Sequence, residues 1–90
     1  AIRLDPGYAV NYNNIGYAYN ELEQYELALE NYNEAIRADR KYAVAYANRA
    51  ILYAAIGEDA KAEIDIESAV KYGYDRASLE TKIYIIKSSR

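Results

Sequence analysis

The chain has 90 residues, a formal net charge of −3, and no Cys, His, Phe, Trp or Met. That length suits one small domain, near the size at which a single core is only marginally stable. The acidic balance argues against nucleic acid or an anionic membrane surface as partner, and the lack of Cys and His removes thiol chemistry and the commonest metal ligand and general base. Apolar types make up 52 % of the chain, with Ala and 12 Tyr supplying much of that. A core of small residues and tyrosines suits closely packed helices better than a thick globular centre. No apolar run approaches the roughly 18 residues of a membrane span, and no signal-peptide pattern opens the chain, so the cytoplasm is the default compartment.

In chain order, Ala1 to Tyr8 come first. Ile2 and Leu4 belong to a helix whose partner is missing, so the chain reads as a piece of something longer. From Ala9 to Leu22, the residues Tyr12, Ile15, Gly16, Tyr19 and Leu22 recur at three- and four-residue spacing, which predicts a helix. From Tyr25 to Ala38, Ala28, Leu29, Tyr32, Ala35 and Ile36 do the same. A second pair follows, with Tyr46, Ala50, Tyr53 and Ile56 on one helix and Ala62, Ile66, Ala69 and Val70 on the next. Arg76 to Lys87 reads as a last helix with Leu79, Ile83 and Ile86 on one face and Asp75 as its N-cap. The loops, around Glu23-Gln24, Asp39 to Tyr42, Gly57-Glu58 and Gly73 to Asp75, are short, so neighbouring helices form antiparallel hairpins. No stretch alternates with period two, which disfavours strands.

The two pairs are near-copies. A shift of 34 residues brings Ala1, Ile2, Arg3, Asp5, Tyr8, Ala9, Val10, Tyr12, Asn14 and Tyr19 onto identical residues. Ala28 meets Ala62 and Ala35 meets Ala69. The units run over 9–42 and 43–76, after a fragment at 1–8 and before a helix at 77–90. Gly16 and Ala50 on each first helix, and Ala28 and Ala62 on each second, leave room for backbones to approach. Tyr12, Tyr19 and Tyr32 supply bulk around them as core. One hairpin cannot bury its own apolar face, so stacking is obligatory. Two full units fall short of the roughly three that repeat proteins usually need, which predicts marginal stability or association through the exposed ends. Tyr84 stands where the repeat wants Gly or Ala, so the last helix is a cap.

These positions resemble the tetratricopeptide repeat, whose 34-residue helix–turn–helix unit places a large aromatic, Leu-Gly, Tyr, Ala, aromatic, Ala and Pro at fixed places. Tyr12, Ile15-Gly16, Tyr19, Ala28, Tyr32 and Ala35 carry the likeness, and Tyr46, Ala50, Tyr53, Ala62, Ile66 and Ala69 carry it again. The opening Ala1-Ile2-Arg3-Leu4-Asp5-Pro6 resembles the end of a preceding repeat. The resemblance covers about residues 1 to 76 and implies an all-α fold, an α-solenoid of antiparallel helix–turn–helix repeats. Arg40 and Tyr74 stand where the family often has Pro, and Glu23 replaces the Gly that Gly57 retains. Arg49 takes the stripe position of Ile15, and either snorkels to solvent or meets a carboxylate across the array.

The resemblance also implies that first helices line a concave groove for extended peptides or helices. The stripe beside the packing face is Val10, Asn13, Asn14, Tyr17 and Glu21, then Val44, Ala47, Asn48, Ile51 and Ala55, then Ser78, Thr81, Lys82 and Ile85. Asn14 and Asn48 recur one repeat apart, and each amide offers a donor and an acceptor to a peptide backbone. That spacing resembles the asparagine ladder in the repeat domain of O-linked N-acetylglucosamine transferases, against the plainer reading of local hydrogen bonding. Tyr17 and Ile51 are either ligand anchors or packing between neighbouring first helices. The carboxylate clamp by which some co-chaperone repeats hold acidic tails is matched at Asn48 alone. Asn13, Tyr17 and Ser78 replace its other donors, and Lys82 only approximates its Arg.

Catalysis has little footing. Glu58, Asp59, Glu63, Asp65 and Glu67 form an acidic run, which reads as a helix N-terminus and a solvated face and not as a metal site. No Gly-rich loop follows a strand, and no nucleophile sits in a known motif. The expectation is a non-catalytic scaffold binding a protein or peptide, with no cofactor, metal, nucleic acid or membrane. A self-assembling segment stacking end to end as a homo-oligomer, or a substrate-recognition arm of a larger enzyme, are the alternatives.

Overall fold

The computed structural model describes residues 6–90, and among these five helices and no strand follow one another. They are α1 (Pro6–Glu21), α2 (Tyr25–Ala38), α3 (Ala43–Ala55), α4 (Asp59–Lys71) and α5 (Arg76–Ser89). The reading of Ala1 to Asp5 as the end of a preceding repeat lies outside the described residues. α1 begins at Pro6, three residues ahead of the Ala9 at which the periodic pattern starts. Proline suits a first turn, where its missing N–H would have no helical partner and its φ is already helical.

Three turns close alike. The N–H groups of Gln24, Glu58 and Tyr74 reach back to the carbonyls of Tyr19, Tyr53 and Ala69 at 2.9, 2.8 and 2.9 Å. This closure needs a left-handed residue just before the donor. Gly57 and Gly73 take that place at φ +84° and +111°, and in the first turn Glu23 takes it at +58°. The α2–α3 turn is built differently. Asp39 Oδ1 accepts from the Lys41 N–H at 3.0 Å, and the Tyr46 hydroxyl donates to the Arg40 carbonyl at 2.9 Å. A side chain of α3 thus holds the turn where a proline is absent.

α1 packs on α2 and α3 on α4, while α2 also meets α3, and α5 lies on α3 and α4. The first pair closes through a near contact. A Cβ at residue 16 would lie 2.8 Å from two ring carbons of Tyr32 and 3.1 Å from the Ala28 carbonyl oxygen. Glycine there lets the Tyr32 ring lie against the α1 backbone, fully buried beside Ala28 and Leu52. In the second pair Ala50 and Ile66 take those two places inside a larger cluster with Ala62, Ala69, Leu79 and Ile83. Full burial of a Leu or Ile side chain contributes roughly 1.5–3 kcal/mol. Ile15 and Leu22, read as part of the packing stripe, are instead 38 % and 67 % exposed.

Of the two fates open to Arg49, the structure shows the second. Its Nε and Nη2 donate to Asp65 Oδ2 and Oδ1, each at 2.8 Å, and its Nη1 donates to Asn33 Oδ1 at 2.8 Å. The guanidinium also stands over the rings of Tyr46 and Tyr53, at 5.7 and 5.8 Å. Burial opposes its charge, but the hydrogen bonds and charge of Asp65 outweigh that and hold its pKa above the ordinary Arg range. The acidic run is therefore not wholly a solvated face. Asp65 is only 2 % exposed, because Ala62 and Ala69, three before and four after it, put it on the buried stripe of α4.

α5 packs on the second pair, against α3 and α4. Asp75 Oδ2 accepts from the Ser78 N–H at 2.8 Å, Leu79 and Ile83 are buried, and Tyr84 is 72 % exposed on the uncovered face. Arg76 bonds both carboxylate oxygens of Glu67, and Arg90 bonds both of Asp59 as well as the Ala54 carbonyl.

Candidate protein-binding groove

The surface in question is built on α1, α3 and α5. α1 and α3 touch, and the link between them is an amide pair, with Asn48 Nδ2 donating to Asn13 Oδ1 at 3.0 Å. Asn13 is 4 % exposed, which takes it out of reach of a ligand and makes it a tie between first helices. Asn48 is half-buried with one N–H committed to that tie, while Asn14 is exposed. The two amides read as successive rungs thus stand in unlike surroundings. Sequence alone could not separate Asn13 from Asn14, since adjacent residues differ by only about 100° around a helix.

Beside that tie the stripe is open. Val10 and Tyr17 on α1 are 43 % and 52 % exposed, Glu21 is exposed, and Val44 on α3 is 38 % exposed. Of the two readings for Tyr17 and Ile51, the structure divides them. Tyr17 faces solvent, while Ile51 is half-buried and packs on the core cluster that includes Leu79. On α5, Ser78, Thr81, Lys82 and Ile85 are exposed. The Lys82 ammonium donates to the Tyr74 hydroxyl at 2.8 Å and stands 5.4 Å over that ring, which fixes where the cation sits.

Below the stripe, the Tyr32 hydroxyl and Asn20 Oδ1 are buried with no hydrogen-bond partner among the described residues. Burial pushes the Tyr32 hydroxyl far above the ordinary phenol range, with Tyr17 and Glu21 nearby adding to the effect, so it stays neutral. Among the described residues no group of three or more His, Cys, Asp or Glu side chains is placed to hold a metal ion, and no helix is long and apolar enough to cross a membrane. What these side chains can do chemically is bind. They offer apolar contact, amide and hydroxyl hydrogen bonds, and one charge of each sign.

Sequence reasoning offered Arg49 a carboxylate but did not single out Asp65, and it missed the Asn13–Asn48 tie. A signal for the first was present: Arg49 and Asp65 replace Ile15 and Asn31 together, one repeat on.

The family model for the TPR repeat matches residues 16–57. Serine/threonine-protein phosphatase 5 of Mus musculus is 41 % identical over 71 residues, 79 % of this chain and 14 % of that protein. The proteins of the same name from Homo sapiens and Rattus norvegicus are 39 % identical over 71 residues, again 79 % of this chain and 14 % of theirs. The chain therefore spans 14 % of the length of the curated relatives it matches. No solved structure matches it. Repeats of this kind are generally non-catalytic protein–protein interaction modules, and the match to the phosphatase is to its repeat part. With two copied helical pairs, an all-helical fold and these matches together, the chain belongs to the tetratricopeptide repeat family.

Proposed function

We propose that this chain is a scaffold that holds an extended segment of another protein along the surface shared by α1, α3 and α5. The observation that carries this reading is the Asn13–Asn48 bond, which ties the two first helices side by side with Val10, Tyr17 and Val44 open next to it. A rigid, preformed surface spares a ligand the cost of ordering the site, and an exposed Tyr beside valines is a suitable anchor. Asn14 and the free acceptor of Asn48 would pair with the ligand backbone. The ligand we expect is apolar in its middle, with a cation near Glu21 and a carboxylate near Lys82.

A random-peptide library selected on the immobilised chain tests this. For a selected peptide, Tyr17→Ala is expected to weaken binding roughly tenfold or more, as hot-spot truncations do. Lys82→Ala should weaken peptides that carry a carboxylate, and Tyr84→Ala, on the uncovered face of α5, should change nothing. Affinity unaltered in a Tyr17→Ala/Lys82→Ala chain would remove the groove from the picture. The likeness to a phosphatase supports a second reading, in which the same surface selects or regulates substrates beside a catalytic domain.

A further inference from the structure

The two buried polar atoms of the first pair that lack a partner, the Tyr32 hydroxyl and Asn20 Oδ1, belong to one corner of the groove. The Tyr32 ring lies against Gly16, and Asn20 stands one turn beyond that glycine on α1. Tyr17 and Glu21, beside them on the open stripe, are near enough to raise the pKa of the hydroxyl. Asn20 also lies seven residues past Asn13, on the line of α1 that meets α3. The register set by Asn13 and Asn48 brings Ala55 to that level, which has neither the bulk nor the amide of Asn48. The polar tie made at Asn13 is therefore not repeated at Asn20. The corner is also peculiar to the first pair. One repeat on, Asn20, Glu21 and Tyr32 are replaced together by Ala54, Ala55 and Ile66.

We propose that this corner takes a lysine side chain of the bound segment, its ammonium held by Asn20 Oδ1, the Tyr32 hydroxyl oxygen and the Glu21 carboxylate. The inference rests on the groove reading given above and names the residue that the groove selects at its α1 end. All three protein groups offer acceptors, and an ammonium brings three donors and asks for nothing else. An acidic side chain would be repelled by Glu21. The planar fork of an arginine suits two parallel oxygens, not three groups set around a corner. No cation of the first pair fills the need already. Arg37 is the sole basic residue between Pro6 and Asp39, and it is bonded to Glu34 at 3.1 Å. Tyr17 and Glu21 are exposed, so entry requires side-chain rotation and no movement of a helix. The Tyr17 ring adds an attraction for the cation as it passes.

The corner is tested first without any peptide, by titrating the isotope-labelled chain with n-butylammonium chloride against sodium chloride at equal ionic strength. The Asn20 side-chain amide and the Tyr32 ring signals should move and saturate, and N-butylacetamide, the same stem without the charge, should leave them still. Tyr32→Phe keeps the ring and removes the oxygen. It should weaken the response at Asn20 roughly tenfold, as loss of a hydrogen bond to a charged group does, with the thermal midpoint no lower than that of the unaltered chain. Asn20→Ala should weaken the response at Tyr32 alike. n-Butylammonium shifts confined to Glu21, or an equal response to N-butylacetamide, would overturn the proposal. A selected peptide then separates the corner from the groove. Acetylating its lysine should cost roughly tenfold in affinity on the unaltered chain and little on Tyr32→Phe. A peptide that depends on Tyr17 but is indifferent to acetylation and to Tyr32→Phe would leave the groove standing and remove the lysine site. Peptides indifferent to Tyr17, with n-butylammonium still seated at Asn20 and Tyr32, would remove the groove and leave the ammonium site.

Discussion

In the first helical pair, Gly16 lets the ring of Tyr32 lie against the backbone of α1, and the ring's hydroxyl ends buried without a partner. In the second pair the same places hold Ala50 and Ile66, and the helices are joined by Arg49 and Asp65. That ion pair also reaches back, through Asn33, to α2. The first pair has no such tie, since Ile15 and Asn31 stand at the corresponding positions and Ile15 is exposed. One backbone template thus tolerates two packings, one that depends on a missing Cβ and one that depends on a paired charge. The polar tie sits where one repeat meets the next.

The largest effect should come from breaking the charge pair. Asp65→Ala leaves the Arg49 guanidinium without its partner and should cost about 3 kcal/mol, the low end for a buried pair because Arg49 keeps some exposure. The matching change in the first pair, Asn31→Ala, should stay within about 0.5 kcal/mol. Copying the first pair into the second, Arg49→Ile with Asp65→Asn, should recover most of the loss. Urea unfolding midpoints at constant slope measure all three, and a double variant as unstable as Asp65→Ala would contradict the comparison.

Next in size is the near contact. Gly16→Ala gains about 1 kcal/mol of helix propensity, yet its Cβ meets a buried ring at 2.8 Å, and a net loss of about 1–2 kcal/mol is expected. Adding Tyr32→Ile, which copies the second pair, should relieve it. If Gly16→Ala alone stabilises the chain, the ring does not rest where described.

The turns give a smaller contrast. Glu23 stands in the left-handed region that Gly57 fills in the second unit, so Glu23→Gly should stabilise by roughly 0.5–1 kcal/mol and Gly57→Glu should do the reverse. Thermal midpoints of the two variants moving in opposite directions would bear this out.

The smallest effect concerns pH and the last helix. The hydrogen bond from Arg90 holds the Asp59 carboxyl below its usual range, and that from Arg76 does the same for Glu67. A carboxyl depressed in the folded state lends stability above its unfolded pKa, about 4, and loses it as the pH falls through the folded value. Hydrogen exchange in α5 should therefore lose protection relative to α3 as the solution is acidified below about pH 4, and Asp59→Asn should flatten that response. Protection in α5 that is indifferent to acid would contradict it.

The fold was legible because it is written twice. A 34-residue copy with Gly16 and Ala50, Ala28 and Ala62, and Ala35 and Ala69 in register leaves few other arrangements, and the Asp75 cap and the face of Leu79 and Ile83 are where the pattern puts them. The candidate site was legible as a stripe but not as a set of partners. Helical period says which residues share a face, yet not that Asn13 would spend its oxygen on Asn48 while Asn14 points to solvent. Asp65 was misread for a related reason. Its neighbours in sequence are acidic and exposed, and only its spacing from Ala62 and Ala69 marks it as interior.

The most direct test of the groove maps a selected peptide onto the isotope-labelled chain by backbone amide shifts. We expect changes gathered on Val10, Asn14, Tyr17, Ile51 and Lys82, with the outer surface of α4 around Ile64 silent. Changes gathered instead on Ile64, or spread over α2 and α4 with Tyr17 unmoved, would mean that the first helices do not form the binding surface.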